Sequence, residues 1–256
     1  MEKAPISVVV ITKNEEKRLP DCLESVKWAN EIVILDDEST DGTLNIAKNY
    51  GAKTATRHME NEGIHRNHAN SLATQPWVMN IDADERVSPE LAASIQEMTS
   101  RDHDSNVCYA VAMKQYIGDQ WIQGAGYYPA FRTKIFKNGQ LKYRDEKVHP
   151  PVSYEGSCGR LTGDLIHHTS PNFTHWVSKF NRETSFEAEK WILKNRKVSA
   201  PGVLRKAASR FLKFYFQKGG IKHGFTGFIM SLFHSLYQLI TYMKYLEMKR
   251  NGKTNA

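Results

Sequence analysis

The sequence predicts an α/β fold, a mostly parallel, doubly wound sheet that gives way to a helical, basic, amphipathic C-terminal extension. Three observations carry this. Short β-branched runs alternate with helix-periodic segments through about residue 100, acidic and polar clusters follow those runs, and after Pro171 apolar residues recur at helical spacing. A length of 256 residues can bury one large core with an appendage, and 40% hydrophobic with 25% charged residues is ordinary for a globular chain.

Ile6–Thr12, with its β-branched run and no solvent-facing alternation, reads as a buried parallel strand. The polar loop Lys13-Asn14-Glu15 leads into a helical pattern through Leu19, Leu23 and Val26. Glu31–Asp36 is a second strand, after which Ser39, Thr40 and Asp41 are placed to cap a helix carrying Leu44, Ile46 and Ala47. Ala52–Arg57 makes a third strand, Asn67–Ala73 a helix and Trp77–Ile81 a fourth strand. Repeated β-α units of this kind close a parallel sheet whose ligand crevice lies outside the carboxyl ends of its strands.

That rule places three carboxylate clusters at one crevice: Asn14-Glu15-Glu16, Asp36-Asp37 and Asp82-Ala83-Asp84-Glu85. Each alone is a common helix-start acid, favoured by the helix dipole. Asp82 and Asp84, one residue apart at a strand terminus, form a D-x-D able to face one hard divalent cation that keeps positions open for phosphate oxygens. No G-x-G-x-x-G follows the first strand and no G-x-x-x-x-G-K-[ST] occurs. A diphosphate therefore has to be neutralised by the metal and by Arg66, which the pattern places between the third strand and the next helix.

The net charge is +7, and between Lys190 and Arg250 many lysines and arginines face the lone acid Glu247. Leu204, Ala208, Phe211, Leu212 and Tyr215 share a helical face flanked by Arg205, Lys206, Arg210, Lys213 and Lys218, the pattern of an interfacial helix on an anionic membrane surface. Phe225–Met243 lacks charged residues, but its serines, His234, Gln238 and Gly227 favour a helix buried against the domain or a membrane face over a span. Cys22, Cys108 and Cys158 are scattered, which suits a reducing compartment, and the N-terminus lacks a secretory apolar segment. Nucleic acid is not the expected partner, because no recognised binding signature appears and the acidic crevice repels phosphates unless a metal intervenes.

Four stretches, Val8–Glu15, Ile34–Thr43, His65-Arg66-Asn67 and Ile81–Glu85, resemble glycosyltransferase family 2. Val148-His149, Gly156, Leu161 and Asp164–His167 are similar to the subgroup of bacterial lipopolysaccharide-core β-1,4-glucosyltransferases. The resemblance implies a GT-A fold and inverting transfer from a UDP-sugar with Mg²⁺ or Mn²⁺. It makes Asp37 the acceptor for the uracil ring, with Asp36 supporting the loop and Thr12 and Glu15 lining the nucleoside pocket. Arg66 then sits near the pyrophosphate, Asp82 near the ribose or the metal, Asp84 on the metal, and His167 completes the metal-diphosphate site. Inverting transfer also needs a general base, for which Asp145 and Glu146 are the candidates and Glu146 the favoured one. In the subgroup a glutamate follows the Val-His pair where this chain has Pro150, so the base and the acceptor stay open, and His149 is either a substitute or a packing residue.

These implications divide the chain into a GT-A catalytic domain at 1–170, its nucleotide-sugar half about 1–100 and its acceptor half about 101–170. A helical membrane-associating extension follows at 171–250, with a disordered tail at 251–256. The expected activity moves a hexose, glucose for a lipopolysaccharide inner-core acceptor, at the cytoplasmic face of the inner membrane. A lipid-linked acceptor such as a polyprenyl phosphate, or another cell-envelope glycan, is the alternative. A basic nucleic-acid-binding protein is the alternative of another class, and a sugar binder without turnover is a third.

Overall fold

The computed structural model describes residues 3–101, 105–147 and 150–254, so Val148 and His149 lie outside the described residues. The chain forms two compact units, Met1–Met113 with Phe131–His167, and Lys114–Ala130 with His168–Ala256.

In the first unit β1 (Ala4–Thr12), α1 (Leu19–Glu24), β2 (Ala29–Asp36), α2 (Thr43–Asn49) and β3 (Lys53–Thr56) alternate as expected. They lead to α3 (Glu62–Ser71), β4 (Trp77–Asp82), the short β5 (Glu85–Val87) and α4 (Pro89–Thr99). The remaining strands are β6 (Asn106–Ile117), β7 (Gln120–Trp121), β8 (Ala130–Lys137), β9 (Leu141–Tyr143), β10 (Val152–Tyr154) and β11 (Ser157–Ser170). Among the described residues one sheet runs in the order β3-β2-β1-β4-β8-β6-β11-β5, with β7 on β6, and β9 pairs with β10 separately. The sheet is parallel across β3, β2, β1 and β4 and turns antiparallel where β8 meets β4.

β1 is buried on both faces: Val8 and Val10 join the core under α1 and α4, while Val9 joins the core under α3. Full burial of each such side chain contributes about 1.5–3 kcal/mol, which makes β1 the anchor of the fold. Strand register then lines up the polar termini. Thr12 pairs with Asp36, Ile11 with Asp82, and Asp36 with Thr56, so the polar ends of β1, β2, β3 and β4 emerge along one edge.

α3 begins earlier than its apolar spacing suggests, because the Asn61 side chain caps it by accepting from the Ile64 N–H at 3.1 Å. Arg66 is therefore a helix residue and not part of a linker.

The second unit holds α5 (Phe173–Leu193), α6 (Ala200–Leu212), a π-helical turn at 213–217, a 3-10 turn at 220–223 and α7 (Gly224–Thr254). Lys114–Ala130, expected in the first domain, groups here because Ile117, Ile122 and Ala125 share a core cluster with Met230. α7 continues to Thr254, into the expected tail. Trp176, Phe180, Phe233 and Tyr237 interlock α5 with α7 at ring separations of 4.7–5.8 Å. Ser231, Ser235, Gln238 and Thr241 are buried, so the charge-free stretch of α7 is spent on helix packing. Among the described residues no helix is long and apolar enough to cross a membrane.

Candidate active site

The loops after β1 and β2 build one wall of the site. Asp36 accepts from the hydroxyls of Thr12 (2.9 Å) and Ser39 (2.6 Å) and from the Ser39 N–H (2.7 Å). With its carboxylate consumed this way, Asp36 shapes the loop. Asp37 next to it accepts from the Lys13 ammonium (2.8 Å) and the Met59 N–H (2.9 Å), while His58 stands 3.4 Å away. Burial pushes the Asp37 pKa up, but the Lys13 and Met59 hydrogen bonds outweigh it and hold the group below the usual range. Thr12, Asp36 and Asp37 are thus brought together. Glu15 is held by a bidentate pair with Arg18 at 2.6 and 2.7 Å.

β4 delivers the D-x-D. Val78 and Asn80 face α3, and strand parity puts Asp82 on that same face, within reach of Arg66. Arg66 donates to Asp82 Oδ1 at 2.8 Å and to Glu62 at 2.8 Å. The other oxygen of Asp82 lies 3.8 Å from the Lys134 ammonium, which bonds both oxygens of Glu85 at 2.7 and 2.9 Å. Glu85 in turn accepts from the Asp82 N–H at 2.9 Å. Burial raises the Asp82 pKa, yet the charges of Arg66 and Lys134 prevail and drive it far below the ordinary carboxylate range.

β5 brings in the histidine. Its antiparallel pairing with β11 sets Glu85 opposite His167, which leaves His167 Nε2 3.5 Å from Asp84 Oδ1. Arg18 Nη1 approaches the other Asp84 oxygen at 3.7 Å. Asp84 is lowered in pKa, because the His167 hydrogen bond and the Arg18 charge exceed the effect of burial, and His167 is raised by its pairing with Asp84 against its own burial.

Asp145 and Glu146 sit over the N-terminus of α3. Asn67 brackets the Tyr143 backbone, donating to its carbonyl at 2.8 Å and accepting from its N–H at 2.9 Å. The chain then passes so close that Gly63 is required: a Cβ there would lie 1.9 Å from the Arg144 carbonyl oxygen. Asn61 donates to the Asp145 carboxylate at 2.6 Å. Among the described residues the Glu146 carboxylate has no hydrogen-bond or ion-pair partner, and its backbone carbonyl accepts from the Gly63 N–H at 3.2 Å.

The model of glycosyl transferase family 2 matches residues 7–158, more than half of the chain. The chain belongs to glycosyl transferase family 2. It is 29% identical to the lipopolysaccharide core biosynthesis glycosyltransferase LpsC of Rhizobium meliloti over 94% of this chain and 92% of that protein. It is 28% identical to an uncharacterized glycosyltransferase of Rickettsia typhi over 97% and 89% of the two chains. Its fold is similar to that of the mannosyltransferase PcManGT from Pyrobaculum calidifontis, solved with GDP-Man and Mn²⁺ (TM-score 0.54, 12% identity, 96% and 88% covered). It is likewise similar to S. aureus TarS 1–349 in complex with UDP (TM-score 0.50, 18% identity, 100% and 92% covered). The GT-A type α/β fold is thereby shown.

Asp84 and His167 supply a carboxylate oxygen and an imidazole nitrogen on adjacent elements, a donor set suited to a divalent cation whose remaining positions go to phosphate oxygens. Asp82 stands next to that pair, with Oδ1 accepting from Arg66 at 2.8 Å and Oδ2 3.8 Å from the Lys134 ammonium. A tighter group, Asp37 with Glu38 and His58, gathers at the wall built by the loops after β1 and β2, where Asp37 is tied to Lys13 and Met59.

Sequence reasoning misses Arg18, Asn61 and Lys134. Arg18 follows Glu15 by three residues and Asn61 opens a helix, both of which are readable signals. Lys134 carries no such mark. It sits in a strand whose other basic residues, Arg132 and Lys137, face outward or lie at the edge, and only the fold shows its ammonium beside Glu85.

Proposed function

We propose that this family 2 glycosyltransferase is an inverting hexosyltransferase that moves glucose from UDP-glucose to a lipopolysaccharide inner-core acceptor. The observation that carries the reading is the register of β1, β2 and β4, which brings Asp36 and Asp82 to one edge of the sheet, with Asp37 and Asp84 following directly after them. Asp37 accepts from the uracil ring, with Thr12 and Asp36 bracing the wall behind it and Glu15 fixing Arg18. Arg66, already balanced by Asp82 and Glu62, turns its guanidinium toward the diphosphate. Asp84 and His167 hold Mg²⁺ or Mn²⁺, which supplies charge neutralisation to the leaving diphosphate when bound. Glu146 is the general base, since its carboxylate is uncommitted whereas Asp145 is engaged by Asn61. Three relatives support the reading: TarS is solved with UDP, PcManGT with Mn²⁺, and LpsC is named for lipopolysaccharide core biosynthesis.

The lipid-borne acceptor also suits the second unit, which we read as attaching to the cytoplasmic face of the inner membrane. Leu204, Leu212, Phe216, Ile221 and Phe225 are 49–77% exposed there, amid Arg205, Lys213, Lys218 and Lys222. Each base adds about 1 kcal/mol at an anionic surface, which with aromatic insertion gives reversible attachment.

The test is mass analysis of products from purified protein, Mn²⁺ and a panel of UDP-sugars, with lipopolysaccharide-core and polyprenyl-phosphate acceptors. Transfer of one hexose to the core acceptor is expected, lowered on the order of 100-fold in Asp84→Ala. Undiminished transfer in that variant sinks the metal role, and transfer to the polyprenyl phosphate alone moves the acceptor to the other class.

A further inference from the structure

The second unit contains a cavity of about 450 Å³ where the end of α5 and the following turn meet the last turns of α7. Its floor is apolar: Trp191 and Tyr245 are 3% and 5% exposed, and Met248 extends the same surface. Its rim is cationic. The Arg196 guanidinium lies 4.8 Å over the Trp191 ring, the Lys249 ammonium lies 5.7 Å from the centre of the Tyr245 ring, and Lys197 stands beside them. Aromatic faces thus hold the charged groups of two long cations at the rim of the cavity.

Among the described residues Arg196, Lys197 and Lys249 form no ion pair, and the neighbouring Glu187 accepts from the Trp191 indole N–H at 2.6 Å. The crowding of like charge reaches α6, where Lys206 has its pKa lowered by burial and then by Arg196 and Arg210. The turn is nevertheless well fixed. Asn195 adopts a left-handed φ of 47°, the Arg196 N–H donates to the Trp191 carbonyl at 2.9 Å, and the Tyr245 hydroxyl donates to the Arg196 carbonyl at 3.1 Å. Like charges held together over an apolar floor repel one another unless an anion joins them. The surroundings specify what else that anion carries, because Leu193, in the last turn of α5, is 83% exposed. An amphiphile with an anionic head and an apolar body satisfies both features, and the volume fits a headgroup with its first methylenes.

We infer that this cavity is a binding site for the phosphate headgroup of an anionic membrane lipid, with Arg196, Lys197 and Lys249 taking the phosphate and the half-buried Ile192, Val198 and Met248, beside the Trp191–Tyr245 floor, taking the glycerol and first acyl carbons. The inference rests on the membrane-attached reading of the second unit and deepens it, since attachment then has a built receptor in addition to diffuse charge.

The experiment titrates full-length protein calorimetrically with monomeric short-chain phosphatidylglycerol, phosphatidylcholine of the same chain length, and inorganic phosphate. Phosphatidylglycerol is expected to bind wild type, and Arg196→Ala/Lys197→Ala weakens it roughly 30-fold, the combined effect of two bases at an anionic group. The charge-matched Lys213→Ala/Lys218→Ala variant keeps wild-type affinity for the monomer. Arg196, Lys197, Lys213 and Lys218 are all exposed, so both variants retain the wild-type melting temperature and hydrolyse UDP-sugar at the wild-type rate. Equal losses in the two variants, equal affinity for phosphatidylcholine, or phosphate binding as tightly as the lipid each overturn the proposal. Binding to anionic vesicles without binding of the monomer overturns the pocket alone, whereas absence of vesicle binding overturns the membrane reading itself. Neither bears on transfer, which the sugar assay reads separately.

Discussion

Lys134→Met keeps a long aliphatic stem in place and removes the ammonium. It leaves Glu85, whose side chain is 2% exposed, buried without its cation, and it releases the group 3.8 Å from Asp82. Breaking one side of a buried ion pair costs about 3–5 kcal/mol, because the remaining charge keeps its desolvation penalty and loses its partner. In a folded unit of this size each kcal/mol is worth about 2–4 °C, so the melting temperature should fall by roughly 6–20 °C. The paired variant Glu85→Gln/Lys134→Met removes both charges, and its amide oxygen still accepts from the Asp82 N–H. Most of the lost stability should return. Scanning calorimetry measures the first effect, and titration of UDP in the presence of Mn²⁺ measures a second. With the fold restored but one cation beside Asp82 gone, UDP affinity should stay about tenfold below wild type, the size of effect usual for groups that orient a metal site from behind. A Lys134→Met melting temperature within about 1 °C of wild type would refute the buried-pair argument. Recovery of UDP binding along with stability in the double variant would reduce Lys134 to a structural counter-ion.

Two more outcomes are expected from the same geometry. Since the folded-state pKa of His167 is raised by Asp84, the protonated pair stabilises the metal-free protein fully below the unfolded value of about 6.5 and fades as pH rises through the folded value. Denaturation midpoints should show that decline and His167→Gln should flatten it, while Mn²⁺ affinity should rise across the same window as the proton is displaced; an affinity indifferent to pH would exclude His167 as a ligand. Gly63→Ala should cost about 1–3 kcal/mol and slow transfer more than it weakens UDP binding, because the new methyl pushes the 144–146 backbone, and Glu146 with it, away from α3; unchanged transfer at an unchanged melting temperature would show that the close approach does not matter.

The order of β-α units, the acidic clusters and the basic helical end are written in local patterns that need no neighbour to interpret. β-branched runs specify buried strands, and Asp82-Ala83-Asp84 marks its crevice because carboxylates at strand ends have one place to go. The resemblance to family 2 adds Thr12, Asp36 and Asp37, which the fold brings together at the ends of β1 and β2. Boundaries are harder to read. The α3 start depends on the Asn61 cap, a single side chain that apolar periodicity does not register, and so Arg66 lies in a helix where the pattern puts a linker.

By itself, then, the sequence determined the α/β core, the family and the acidic clusters that follow the strands, because these depend on residue type and short spacing. Tertiary structure alone decided which residues those clusters pair with. Pairing of β5 with β11 put His167 beside Asp84, and packing of α3 and β8 placed Arg66 and Lys134 on the two oxygens of Asp82. Such partnerships join residues far apart in the chain, and their energies depend on burial and distance, neither of which a linear pattern encodes.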